Sequence, residues 1–359
     1  MSLRSTLAFI AVLAASVALP PVAQAAYDPV GGGTTRLVLD PSFFGLLHRS
    51  GATLSAVAPA RLSHGTVSFP VTGGKLDPTT SNGTLRHEGA LVIGSAGRRI
   101  PIKALQLKTS AGRSPFAAKV GGSQLKLGTG ATTTVSRRGF GIGIEVGSLA
   151  LSRTLATRLG KKLGLRGVLK AGQPLARSVT RALPQTVTLV PGGGASLSFD
   201  PGFEAKLRSL FVAVNPIFPA EHPGAFTLPV GGGKLSPLGS EGYAQTEGAL
   251  EFLQLGGGQL FWAEARLDLG AHSATAEVNA QPSPPYAGKV GRIPFGGLGA
   301  GAFESDPKSR DLSLTGTPLT LDPAMAATFN QLFAEPQGKE DVFHGGEAVG
   351  TTSFVARGQ

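Results

Sequence analysis

The chain has no cysteine, one Trp, three Tyr and two Met, and only 15% of its 359 residues are charged. Without thiols it has no disulfide, thiolate metal site, iron–sulfur cluster or cysteine nucleophile to draw on. Long apolar runs are equally scarce. The run from Leu7 to Leu19 is about 13 residues, short of the roughly 20 that a membrane-spanning helix needs. Enzymatic signatures are missing as well: no G-x-S-x-G elbow, no G-x-x-x-x-G-K-[ST] loop, and no His-x-x-x-His or Glu-x-x-His spacing. No catalytic residue and no metal ligand is expected, and the chain reads as a non-enzyme.

What is present points to strands. Glycine and proline make up 78 residues, alongside many Val, Thr and Ser, a composition of short strands and tight turns rather than of a helical bundle. The expected class is all-β. The first residues read as an export signal: Arg4 supplies the positive end, the apolar run follows, and Ala23-Gln24-Ala25 fits the small-x-small cleavage pattern. Cleavage after Ala25 is expected, giving a secreted protein associated with the cell envelope.

The remainder is a tandem repeat. Phe69-Pro70-Val71-Thr72-Gly73-Gly74-Lys75-Leu76 recurs as Leu228-Pro229-Val230-Gly231-Gly232-Gly233-Lys234-Leu235, and Glu88-Gly89-Ala90-Leu91 recurs as Glu247-Gly248-Ala249-Leu250 at the same spacing. Upstream, Leu39-Asp40-Pro41-Ser42-Phe43 matches Phe199-Asp200-Pro201-Gly202-Phe203, with a weaker echo at Leu321-Asp322-Pro323. Unit 1 is placed at 26–188 and unit 2 at 189–359. Each Asp-Pro marks a helix start, because Asp accepts free amide hydrogens and Pro suits the first helical position. Helices are expected from Pro41, Pro201 and Pro323, and several short strands with such helices make each unit a β-sandwich or a flattened barrel. The Gly231–Gly233 run is read as a turn between strands, and Gly31–Gly33 and Gly192–Gly194 as linkers.

These blocks, with the late Phe343-His344-Gly345-Gly346-Glu347, resemble the HtaA-type domain of secreted and cell-wall proteins of actinobacteria, in two tandem copies. The resemblance implies an antiparallel β-sandwich with small helices in each copy. It also implies haem as cofactor, with haem or haemoproteins as partners in iron acquisition, bound through a tyrosine supported by a histidine. The early strands Thr34 to Leu39 and Gly194 to Phe199 contain no Tyr or Trp. The candidates left are His87 and Tyr243, which align with Thr246 and Thr84 of the other copy and so are not repeated.

Charge separates the copies. Unit 1 holds 22 Lys and Arg against 5 Asp and Glu, whereas unit 2 holds 10 against 17. Arg153, Arg158, Lys161, Lys162 and Arg166 interleave with Leu155, Leu159 and Leu163 at helical spacing, which predicts a basic amphipathic helix. For an exported chain the matching polyanions are cell-wall polymer and membrane surface, and no nucleic acid is expected. The alternative to haem capture is therefore an adhesive or structural envelope protein whose basic unit touches anionic polymers or lipids.

Overall fold

The computed structural model describes residues 28–77, 80–110, 112–239, 241–281 and 288–359. The expected export signal and the tyrosines Tyr27 and Tyr286 lie outside the described residues. The first copy runs β1 (Asp28–Leu39), α1 (Pro41–Arg49), β2 (Thr53–Val57), β3 (Arg61–Ser63), β4 (Thr66–Leu76), β5 (Gly83–His87), β6 (Ala90–Ser95) and β7 (Arg98–Thr109). It continues with β8 (Ser114–Val120), β9 (Ser123–Gly130), β10 (Thr132–Arg138), β11 (Gly141–Leu151), α2 (Arg153–Leu163) and β12 (Pro174–Pro184).

The second copy repeats this order without, among the described residues, a strand matching β3: β13 (Val187–Phe199), α3 (Pro201–Ser209), β14 (Val212–Ile217), β15 (Phe226–Leu235), β16 (Gly242–Thr246), β17 (Ala249–Gln254) and β18 (Gln259–Asp268). Then come β19 (Ser273–Gln281), β20 (Gly288–Leu298), β21 (Ala302–Asp306), β22 (Asp311–Leu321), α4 (Pro323–Phe329) and β23 (Ala348–Gly358).

The all-β class holds, and the sandwich that the resemblance implies is replaced by a closed barrel in each copy. In the first copy β7, β5, β4, β1, β12, β11, β9 and β8 pair in that order, and β8 pairs back onto β7, closing a ring of eight strands. β18, β16, β15, β13, β23, β22, β20 and β19 do the same in the second. Closure depends on β7 and β18. Arg98 to Lys103 of β7 pair with β6 while Thr109 to Gln106 pair with β5, and β8 takes the other edge. A bulge between these halves, with Ala104 at φ 52° and Glu264 at φ 47°, bends the strand so that its two parts serve different neighbours. Alternation in sequence cannot distinguish a sandwich from a barrel, since both bury one face of every strand.

The glycine runs are likewise corrected: they lie inside long strands, at register shifts, and are neither turns nor linkers. The shifts fall between Val30 and Gly32, Val71 and Gly73, Leu189 and Gly194, and Val230 and Gly232. At Gly74, with φ 145°, a Cβ would run into the Thr84 carbonyl of β5, so no other residue lets the strands approach there. The helices begin as expected. The carboxylates of Asp40, Asp200 and Asp322 accept from Ser42 N at 2.9 Å, Gly202 N at 2.8 Å and Ala324 N at 2.8 Å.

Each barrel has its own core. The first is filled mainly by aliphatic side chains around Phe43, Phe69 and Phe116. The second is aromatic: Trp262 lies 4.6 Å from Phe252 and stacks at 4.6 Å on Phe295, with Phe203, Phe329 and Phe343 adjoining. The barrels meet through equivalent hairpins. Phe140, in the β10–β11 turn, is buried in the second core, and its amide donates to the Pro307 carbonyl in the β21–β22 turn at 3.1 Å. Gly139, at φ 60°, permits this contact, because a Cβ there would overlap the same carbonyl.

Candidate functional site

The two haem candidates are not brought together. His87 ends β5 and points into the first barrel, where it is 4% exposed. Its Nδ1 donates to the Leu105 carbonyl at 3.0 Å, which leaves Nε2 of the neutral ring to accept from the Thr35 hydroxyl at 2.7 Å. Thr35 Oγ1 in turn lies 2.8 Å from Thr180 Oγ1. Burial pushes the imidazole down from 6.5 to about 4, outweighing the upward pull of the Leu105 carbonyl. Thr35 and Thr180 are partners that sequence reasoning missed. Their signal was partial: Thr35 lies two residues from Leu37 on an apolar face, and Thr180 two residues from Ala182 on a face it shares with Ser178.

Tyr243 belongs to the other barrel. It alternates with the buried Ala244 and Thr246, so it stands on the outer side of β16, half-buried. The Arg266 guanidinium covers its ring at 3.7 Å, and Arg266 pairs with Asp268 at 3.0 Å. An axial haem ligand needs a free Tyr or His atom facing an apolar pocket. Both ring nitrogens of His87 are engaged, and the gaps among the side chains inside the two barrels amount to about 40 Å³ each. Ligand pockets measure roughly 300 to 1,000 Å³. These residues do not fit a haem held inside either barrel.

The basic helix forms as the sequence predicts. Ser152 Oγ accepts from Leu155 N at 3.1 Å to start α2, and Gly164 ends it in a left-handed conformation. Leu155, Leu159 and Leu163 are buried in the first core, while Arg153, Lys161, Lys162 and, just beyond the helix, Arg166 are exposed. Arg158 is half-buried, and its guanidinium donates to Ser123 Oγ at 3.3 Å at the β8–β9 turn. Nor is α2 the sole basic feature. Of the 22 Lys and Arg in 26–188, 21 are exposed. Among the described residues no three His, Asp or Glu side chains converge as a metal would require, and no helix is long and apolar enough to cross a membrane.

Fold and surface define a tandem pair of eight-stranded barrels with short capping helices, one barrel basic and the other acidic. No family model and no curated protein matches the sequence. Among solved structures, the C-terminal domain of HtaA from Corynebacterium glutamicum is 13% identical and matches 44% of this chain and 98% of its own, with a TM-score of 0.36. The N-terminal domain of HtaA from the same organism is 13% identical and matches 47% of this chain and 99% of its own, with a TM-score of 0.32. The sequence blocks resemble this same HtaA type of domain.

Proposed function

We propose that this chain is an exported, non-catalytic binding protein that holds anionic material of the cell envelope through the outer surface of its first barrel. The observation that carries the reading is the placement of charge: 21 exposed cations on a unit with 5 acidic residues. On α2 the leucines serve the core and leave the cations facing water. A Lys or Arg near an anionic surface contributes on the order of 1 kcal/mol, screened over about 8 Å at physiological salt. Binding should therefore be salt-sensitive.

The test is co-sedimentation of the full chain with cell-wall polymer at rising salt. Replacing Arg153, Lys161, Lys162 and Arg166 with Gln should weaken binding without lowering the melting temperature. Undiminished binding by that variant would remove α2 from the contact. Haem capture, the reading that the family resemblance implies, is separated by a haemin titration. A sharp Soret band at one haem per chain, lost in His87→Ala or Tyr243→Phe, would transfer the function to iron acquisition.

A further inference from the structure

The strand registers let the outer surfaces of the two barrels be compared position by position. In the second barrel Tyr243 stands opposite Asp268, and Arg266 pairs with Asp268 at 3.0 Å. The corresponding places in the first barrel hold Thr84 opposite Lys108, with Gln106 where Arg266 would be. Farther along, Glu277 stands opposite Ala263, and Arg292 binds both Glu277, at 3.1 Å, and Glu264, at 3.8 Å. There the first barrel has Lys119 opposite Lys103, Gln124 in place of Arg292, and Ala104 in place of Glu264. Of the three acids in these two networks, Asp268 and Glu277 correspond to lysines and Glu264 to an alanine, and both arginine partners correspond to glutamines. Like charges placed directly opposite on neighbouring strands destabilise a sheet.

From this exchange we infer that the outer face of β4, β5, β7 and β8 binds a linear anionic polymer through Lys75, Arg86, Lys103, Lys108 and Lys119. The inference rests on the polyanion reading above and gives that contact a second location, apart from the cations of α2. Its shape favours a chain over a bilayer. Lys75, Arg86 and Lys108 line an open groove of about 630 Å³ together with Asn82 and Thr84, which add neutral hydrogen-bonding groups. The exposed large apolar residues described for this barrel, Phe44, Val57, Val135 and Val179, lie on α1, β2, β10 and β12, so this face has none to insert among lipid tails. A second copy of the chain is a poor occupant. Six of the 17 acids of its acidic unit, Asp268, Glu277, Glu264, Glu347, Glu204 and Asp311, are already paired internally, so a second copy would have to use the others.

The experiment uses the full chain, long-chain inorganic polyphosphate and poly-glutamate as polymer probes, and vesicles containing phosphatidylglycerol. Five Lys or Arg to Gln changes at positions 75, 86, 103, 108 and 119 should weaken binding to a polymer probe at least tenfold and flatten its salt dependence. The melting temperature should stay level or rise as the Lys103–Lys119 repulsion is relieved. The two polymer arms separate phosphate from carboxylate as the preferred anion. If the five-residue variant binds both polymers like the parent while the α2 variant does not, the groove is wrong and the broader reading stands. If the parent binds no polyanion, both fall. Vesicles held more tightly than either polymer, through these same five residues, would make the face a membrane contact and overturn the inference. Concentration-dependent dimerisation of the parent, abolished in the variant, would make it an interface between copies and overturn it equally.

Discussion

His87 and Thr246 occupy the same position in the two barrels and hold the same backbone carbonyl. His87 Nδ1 donates to Leu105 at 3.0 Å, and Thr246 Oγ1 donates to Ala265 at 3.2 Å, each next to the bulge that closes its barrel. The bulge takes that carbonyl out of the regular ladder, and an inward polar side chain satisfies it. Exchange of His87 for Ala strands the carbonyl, leaves the Thr35 hydroxyl with Thr180 alone and opens a hole, a combined cost of about 3 kcal/mol. His87→Thr should cost less, since a hydroxyl at this position serves the other barrel. Urea denaturation compares the two variants; equal losses would show that the carbonyl bond contributes little.

The same histidine makes stability depend on pH. Its folded value of about 4 lies below the ordinary 6.5, so between these values the unfolded chain binds the extra proton. The contribution of the neutral ring is complete above about pH 6.5 and is lost as pH falls toward 4, amounting to about 3 kcal/mol in all. Denaturation midpoints measured from pH 7.5 to 4 should fall along this curve in the parent, and the fall should be shallower in His87→Thr.

Phe140 couples the barrels. Its ring is buried in the second core although its hairpin belongs to the first sheet. Truncation to Ala should cost about 3 kcal/mol and split one calorimetric unfolding transition into two. Gly139→Ala should act the same way through collision with the Pro307 carbonyl. A single unchanged transition in both variants would show that the hairpin contact does not join the units.

The Asp caps should be separable from the rest of the fold. Asp40→Ala and Asp322→Ala each remove an acceptor from a helix start and should cost about 1 kcal/mol, whereas Asn at either position should be close to neutral. Thermal melts of the four variants check this. Equal losses for Ala and Asn would mean that charge, rather than the hydrogen bond, sets the value.

Much of this fold was legible. The Asp-Pro pairs marked helix starts because capping is local chemistry, carried by Asp40 and Ser42 within two residues. The basic helix was legible for the same reason, its leucines recurring at helical spacing. Barrel closure was hidden, since the pairing of Lys103 with Lys119 and of Gln106 with Arg86 depends on a bulge that no period reveals. The Gly231–Gly233 run misled because glycine marks a bulge inside a strand as readily as a turn. His87 was legible as unusual and not as buried: its carbonyl partner is 18 residues away and its hydroxyl partner 52. The basic groove needed the register. Lys75 and Lys108 are far apart in sequence and are joined only through Thr84, which pairs with both.

The hairpin contact between Phe140 and Pro307 has an electrical consequence. It ties a unit of 22 cations and 5 acids to one of 10 cations and 17 acids, so the whole molecule carries a built-in dipole moment rather than a uniform charge. In the field of an anionic surface such a body feels a torque as well as an attraction. It turns before it touches, arrives with the cationic barrel leading, and leaves the acidic barrel directed toward the medium.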